Sequence, residues 1–306
     1  MRIISPSVSV ITEKDPFKKI ERVGRTCYKS EDKITEDSAK KFYRGLVSRK
    51  HTAMVEHATF LFKLDQFQYD YLHLKVMDNN KYLNFTDDDN RYLVSGNLRA
   101  INESGAISLC KALYELDPEL VYNEEIREFI EYYEIQGKVT ILDFSELKNP
   151  TENEFMNHFY MTFHYITDRG VTHEMVRHRP ASYAQESTRY CNYSKDQFGN
   201  EITVVKPTGW DEWKDIAKLH YCTAVESCER EYFNLIHMGL TPQQARAVLP
   251  NTLKTEIIMT ACAGELEHFF DLRSRGITGA PHPDIKTVAD MALTMYEVER
   301  AMYIGK

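Results

Sequence analysis

The chain has 306 residues, 38 Lys+Arg against 46 Asp+Glu, and a formal net charge of −8. A chain of this size buries roughly three quarters of its unfolded surface, enough for a core without disulfides or metal, in about one to two domains. Its net acidity makes it a poor general binder of a nucleic-acid polymer, and 42% hydrophobic with 12% aromatic residues excludes a disordered chain.

Residues 3–11 are β-rich and punctuated by serine. Residues 15–28 and 35–48 read as helices, the second with Thr35, Asp37 and Ser38 as capping residues. Residues 58–64 alternate, with Phe60, Phe62 and Leu64 on one face and Thr59, Leu61 and Lys63 on the other, which predicts a strand just after Glu56-His57. Residues 65–150 read as a largely helical insertion. Within it, Asn79-Asn80 and Asp87-Asp88-Asp89-Asn90 are loop chemistry, and Ser95-Gly96-Asn97 is a turn into a helix. Residues 115–134 hold eight acids and one Arg, with Ile126, Phe129, Ile130 and Tyr133 at helical spacing. That predicts one solvated acidic helix.

A second strand is predicted over 158–166, with His158, Tyr160, Thr162 and His164 on one face. It ends at Asp168-Arg169-Gly170, and a short helix over 171–177 follows. Residues 211–238 predict a long helix stopped by Gly239. Thr241-Pro242-Gln243-Gln244 predicts a restart with a capping box. A strand over 254–260, a helix over 265–273 and a final amphipathic helix over 283–303 complete the chain. The pattern predicts an α+β fold: mixed helices around a small antiparallel sheet, one domain over 1–306 with the insertion at 65–150.

The six cysteines, Cys27, Cys110, Cys191, Cys222, Cys228 and Cys262, form no C-x-x-C pair and read as thiols in a reducing compartment. The first residues, MRIISPSVSVITEKDP, lack the apolar region of a signal peptide, and no run approaches ~20 apolar residues. A soluble, cytoplasmic protein without a membrane partner is expected.

Chemistry concentrates at residues 177–190, which carry Arg177, His178, Arg179, Ser182, Tyr183, Glu186, Ser187, Thr188, Arg189 and Tyr190. Guanidinium forks bind phosphate or carboxylate, hydroxyls add donors, and Pro180 stops the preceding helix. The segment reads either as an anion-binding loop or as a surface loop of ordinary salt bridges. Tyr183 and Tyr190 favour the loop, because a tyrosine ring stacks on a base or a flavin. Arg246 and Arg273 lie beside apolar neighbours that seat their stems. Metal ligation is not expected: His173-Glu174-x-x-Arg177 has Arg where a zinc motif needs His. P-loop and dinucleotide fingerprints are also missing. Ser187 has no activating base nearby in sequence, so it reads as a ligand contact.

Arg177-His178-Arg179, seven residues and then Ser187 resembles the signature of the flavin-dependent thymidylate synthases. Glu56-His57 before a Phe-x-Phe strand, residues 168–174, Ala245-Arg246 to Leu249-Pro250, and His268-Phe269 to Leu272-Arg273 follow the family in order, over 1–64 and 152–300. Residues 95–100 are similar to a stretch in longer members. The resemblance implies reductive methylation of dUMP to dTMP, with methylenetetrahydrofolate as carbon donor, FAD as cofactor and NADPH as reductant. It also implies a homotetramer whose sites are shared between subunits. By resemblance, Arg177, Glu186, Ser187, Thr188, Arg189 and Arg246 hold the nucleotide, with Glu174 and Gln185 beside them. Arg273 is the implied catalytic group at the uracil edge. His57, Thr59, Arg177, His178, Arg179, Gln185, Cys262, Gly264 and His268 are the implied flavin contacts. The family's Asn-x-Arg is Cys262-Ala263-Gly264 here. Two alternatives stay open: a divergent member acting on another uridine nucleotide, and a nucleotide-binding regulator without turnover.

Overall fold

The computed structural model describes residues 1–76, 80–189, 191–194 and 199–305. Asn79 and Tyr190, both used in the sequence reading, lie outside them. β1 (Arg2–Ile4) pairs in parallel with β9 (Thr203–Val205). The central sheet is antiparallel in the order β2 (Ser7–Val10), β7 (Tyr160–Asp168), β10 (Lys254–Cys262), β8 (Ser182–Gln185). β7 and β10 align over nine residues, from Lys254 opposite Asp168 to Cys262 opposite Tyr160.

Both faces of this sheet are covered, which explains why β10 reads as an apolar run rather than an alternating one. On one face Phe163, Tyr165, Ile257 and Met259 pack against α11 (Ala263–Phe270) and α12 (Pro283–Ile304). On the other, Ile258 and Ala184 meet Val23 and Cys27 of α1 (Pro16–Tyr28). Asp15 caps α1 by accepting from the Lys18 N–H.

A second antiparallel sheet runs β4 (Leu83–Asp88), β5 (Arg91–Asn97), β3 (Thr59–Leu64), β6 (Val139–Leu142). Residues 65–150 supply four helices: α3 (Gln66–Val76), α4 (Leu98–Glu103), α5 (Ile107–Leu116) and α6 (Glu124–Tyr132). They also supply three of the four strands of this sheet, which sequence periodicity missed. The expected loop at 87–90 narrows to a tight hairpin turn, with Asp89 and Asn90 both at positive φ. Asn97 ends β5 and caps α4, accepting from the Ala100 N–H.

Three expectations change. His158 is not a strand residue: it closes α7 (Glu152–His158), so its neighbours across the chain differ from those expected. Thr86 and Ser95 hydroxyls lie 2.8 and 2.7 Å from its two ring nitrogens, and burial lowers its pKa to about 3. The acidic stretch is not one helix, because Asp117-Pro118 ends α5 and a short 3-10 turn precedes α6. The second helix of the chain, α2 (Ser38–Ser48), starts three residues late, with the Ser38 hydroxyl accepting from the Thr35 N–H. All six cysteines are unbridged.

Gly96 sits where β5 presses on β4. An added Cβ would lie 2.6 Å from the Tyr82 carbonyl and 2.4 Å from Leu83 Cδ2. Gly96→Ala is expected to destabilise the chain by roughly 1–3 kcal/mol through overpacking. Urea unfolding measures it, and an unchanged midpoint would show that β4 shifts freely.

Candidate functional site

α8 (Arg169–Met175) is capped by Asp168, which accepts from the Val171 N–H at 2.8 Å. Its end releases the Arg-His-Arg segment. The Tyr183 hydroxyl donates to the Met175 carbonyl at 2.8 Å, pinning the loop to β8. The three signature residues then divide. Arg177 and Arg179 are exposed, and Arg179 stands over the Tyr183 ring at 5.6 Å. His178 turns inward, 2.9 Å from the Glu265 carbonyl, with its ring 5.3 Å from His268. Burial lowers the His178 pKa to about 4, so the ring is neutral at pH 7.

Arg273 follows α11, in a wide turn over Asp271–Arg275 that is a π-helical element of the kind found at functional sites. One of its terminal nitrogens donates to Glu174 Oε2 at 3.2 Å, tying the turn to α8. Its Nε is buried and has no hydrogen-bond partner among the described residues. A buried donor left open in this way calls for an acceptor. Gln185 donates to Thr172 Oγ1 at 2.9 Å, which leaves its carbonyl oxygen available.

A separate contact joins the loop to the C-terminal half. Arg246, at the end of α10 (Pro242–Ala245), donates to Thr188 Oγ1 at 3.2 Å. α10 follows α9 (Asp215–His237), and Gln244 accepts from the Thr241 N–H to complete the expected start. The Ser187 N–H donates to the Cys27 carbonyl at 3.1 Å, and the Ser187 hydroxyl accepts from the Arg189 N–H. Arg177, Arg179 and Arg246 make no ion pair with any described residue.

Beneath the loop lies a charge network that sequence reasoning missed. The buried Glu186 accepts from Lys254 at 2.9 Å and lies 3.8 Å from Lys29. Glu256 accepts from both lysines and lies 2.9 Å from His164 Nε2. The i, i+2 spacing of Lys254 and Glu256 on one strand face was the available signal.

The residues expected to touch a flavin divide between surface and interior. His57 is fully buried, 2.8 Å from Thr260 Oγ1, which bonds Thr162 Oγ1 at 2.9 Å. Thr59 and Cys262 line a small cavity of about 30 Å³ with Pro180, Ser182, Lys81 and Tyr82. Lys81 and Tyr82 come from the 65–150 region and were not anticipated. Gly264 is packed on α7: a Cβ there would lie 3.2 Å from the Met156 carbonyl. The helix pair is closed at the position where the resemblance implied an arginine. His268 is exposed.

The sequence matches the family described as "Thymidylate synthase complementing protein" over residues 9–138 and 147–299. The chain belongs to this family. The match takes in most of the 65–150 region. The flavin-dependent thymidylate synthase of Geobacter sulfurreducens is 37% identical over 105 residues, covering 34% of this chain and 43% of that protein. The corresponding enzyme of Pyrococcus furiosus is 36% identical over 112 residues, 34% of this chain and 42% of the relative. The chain thus aligns with less than half the length of these relatives. A solved UMP/dUMP methylase, PolB from Streptomyces cacaoi bound with 5-Br dUMP, covers 99% of this chain and 93% of its own at 15% identity and TM-score 0.42. Among the described residues, no helix is long and apolar enough to cross a membrane.

Proposed function

We propose that the chain carries out flavin-dependent reductive methylation of dUMP to dTMP, with methylenetetrahydrofolate as carbon donor and NADPH as reductant. The carrying observation is the buried, unpartnered Nε of Arg273, held by Glu174 near His178 and the Arg177–Arg179 loop. In this reading Arg273 meets the uracil carbonyl edge. A fixed positive charge there stabilises negative charge developing on the ring, without reorganisation during the reaction. Arg246, Thr188 and Ser187 grip the phosphate, with Arg177 and Arg189 alongside. Gln185 and Glu174 orient the base, and Glu186 holds the loop from below through Lys254.

The donor set suits FAD: exposed guanidiniums at Arg177 and Arg179, the Thr59 hydroxyl, and the His178–His268 pair. His57, Cys262 and Gly264 form the backing of that surface. FAD, when bound, supplies the hydride chemistry. Lys81 contributes a cation to the wall that Thr59 and Cys262 also line. The small cavity has room for about one water, so a flavin would be held on the open surface beside it, which a second subunit would cover in a homotetramer. α9 buries only Val225 and Tyr232 of its 23 residues, which suits the same homotetrameric assembly.

Purified protein is expected to be yellow and to convert dUMP, methylenetetrahydrofolate and NADPH to dTMP. Colourless protein that stays inactive with added FAD would overturn this reading. The closed packing at Gly264 favours one second reading, a divergent member acting on another uridine nucleotide. Product mass spectrometry with UMP beside dUMP separates the two.

A further inference from the structure

The acids of residues 115–134 are not all alike. Asp117 and Glu119 are paired with Lys40 and Arg44 of α2. Glu115 lies 3.9 Å from Lys111, and Glu131 accepts from the Tyr114 hydroxyl at 2.8 Å. Glu124, Glu125, Glu128 and Glu134 are exposed and make no hydrogen bond or ion pair with any described residue. Glu124 and Glu125 suit the positive N-terminal end of α6. Glu128 and Glu134 gain nothing from it.

Exposed rings stand among these carboxylates. Ile126 and Ile130 of α6 turn to the core. Helical spacing then puts Glu124, Glu128 and Tyr132 in one outer row, with Glu125 and Phe129 in the next. Tyr133 ends the second row by stacking on Phe129, with ring centroids 4.6 Å apart. Tyr132 is 86% exposed, Tyr133 62% and Phe129 40%. A single exposed ring is ordinary, but three adjoining ones mark an interaction surface. The nearby bases leave the face acidic. Arg127 sits over the Tyr114 ring of α5 at 5.8 Å and 3.7 Å from Glu131, and Lys111 donates to the Ile135 carbonyl at 3.2 Å. Lys138 is exposed beyond the loop that follows Tyr133.

We infer that the outer face of α6 docks a basic, amphipathic segment of a partner protein. Arginines of that segment pair with Glu124, Glu128 and Glu134 and cover the faces of Tyr132 and Tyr133, and its apolar residues cover Phe129. A guanidinium suits both halves of this surface, because it forks onto a carboxylate and stacks on an aromatic ring. Charge selects the occupant. Free carboxylates repel a nucleic acid and an anionic membrane. A two-fold contact with a second copy would set α6 against its own like charges. The inference rests on this face alone and is independent of the flavin reading.

The test is fluorescence anisotropy of a labelled helical peptide of leucine and arginine, titrated with the full chain at physiological ionic strength. A peptide with glutamate in place of arginine is the control. The arginine peptide is expected to bind and the glutamate peptide not to. Tyr132→Ser removes an exposed ring without changing charge, and is expected to weaken binding about tenfold. The double variant Glu124→Gln, Glu128→Gln is expected to do the same, and Glu36→Gln, an exposed acid outside this face, to leave binding unchanged. Absence of binding overturns the inference. So does binding that ignores Tyr132→Ser, which would be diffuse attraction to an acidic protein. Analytical ultracentrifugation supplies the last arm: self-association that Tyr132→Ser abolishes would give this face to a second copy and overturn the inference as well.

Discussion

Replacing Arg273 by alanine is expected to cut kcat/KM by roughly 10²–10³-fold, about 3–4 kcal/mol of transition-state stabilisation, while the fold survives. The two effects separate because the group is placed for chemistry rather than for cohesion. Its ion pair with Glu174 joins side chains that are 24% and 29% exposed. Such a pair contributes about 0.2–1 kcal/mol to stability. The melting temperature should therefore fall by roughly 2–4 °C at most. Arg273→Lys sharpens the test. It keeps the charge but loses the planar fork that satisfies Glu174 and a substrate carbonyl together. It is expected to restore melting fully and turnover only in part. Steady-state kinetics and thermal unfolding of both variants check this. Turnover that persists in Arg273→Ala would remove Arg273 from the catalytic role and favour a nucleotide-binding regulator.

The regularity of individual elements was legible in the sequence, and their partners were not. The helix read over 15–28 is α1, and the alternation from Tyr160 announces β7, because such patterns are local. β4, β5 and β6 were hidden because they form a sheet with β3, and pairing between distant segments leaves no local trace. His158 was misplaced for a related reason. Its alternation with Tyr160 continues the strand pattern, but Thr151 and Glu154 form a capping box that starts a helix and carries it through His158.

The site divides in the same way. The Arg-His-Arg segment could be found by residue type and spacing. Which of its members point outward could not, because His178 is drawn inward by the Glu265 carbonyl on α11, 87 residues away. Lys81 and Tyr82 enter the cavity wall only because β4 folds back beside β5. Lys29 and Lys254 converge on Glu186 only because α1 lies across β8 and β10. Charge tells the same story. Residues 115–134 account for seven of the eight net negative charges, so the rest of the chain is nearly neutral.

The network beneath that loop should dominate stability. Lys254→Met would leave Glu186, at 3% side-chain exposure, with the more distant Lys29 and the weak Cys191 thiol donor. Breaking one member of a buried ion cluster costs roughly 3–5 kcal/mol, because the remaining charge stays desolvated. The pH dependence has a definite sign. Burial alone would raise the Glu256 pKa, but the His164 hydrogen bond and the charges of Lys254 and Lys29 outweigh it and hold the carboxyl well below the usual range. A depressed carboxyl contributes stability that is complete above its unfolded value, near ~4.3, and is lost as pH falls below it. Wild-type protein is therefore expected to lose stability below about pH 4.3, and Lys254→Met to lose less on the same descent because it starts with less. Adding Glu186→Gln to Lys254→Met should recover part of the loss, since it removes the uncompensated charge. Urea unfolding at pH 7 and pH 4 measures all three proteins. A cost under about 1 kcal/mol for Lys254→Met would mean that water reaches Glu186 and that the network is a surface pair. Ser187 and Thr188 directly follow Glu186, so loosening it should raise KM for the nucleotide more than it lowers kcat.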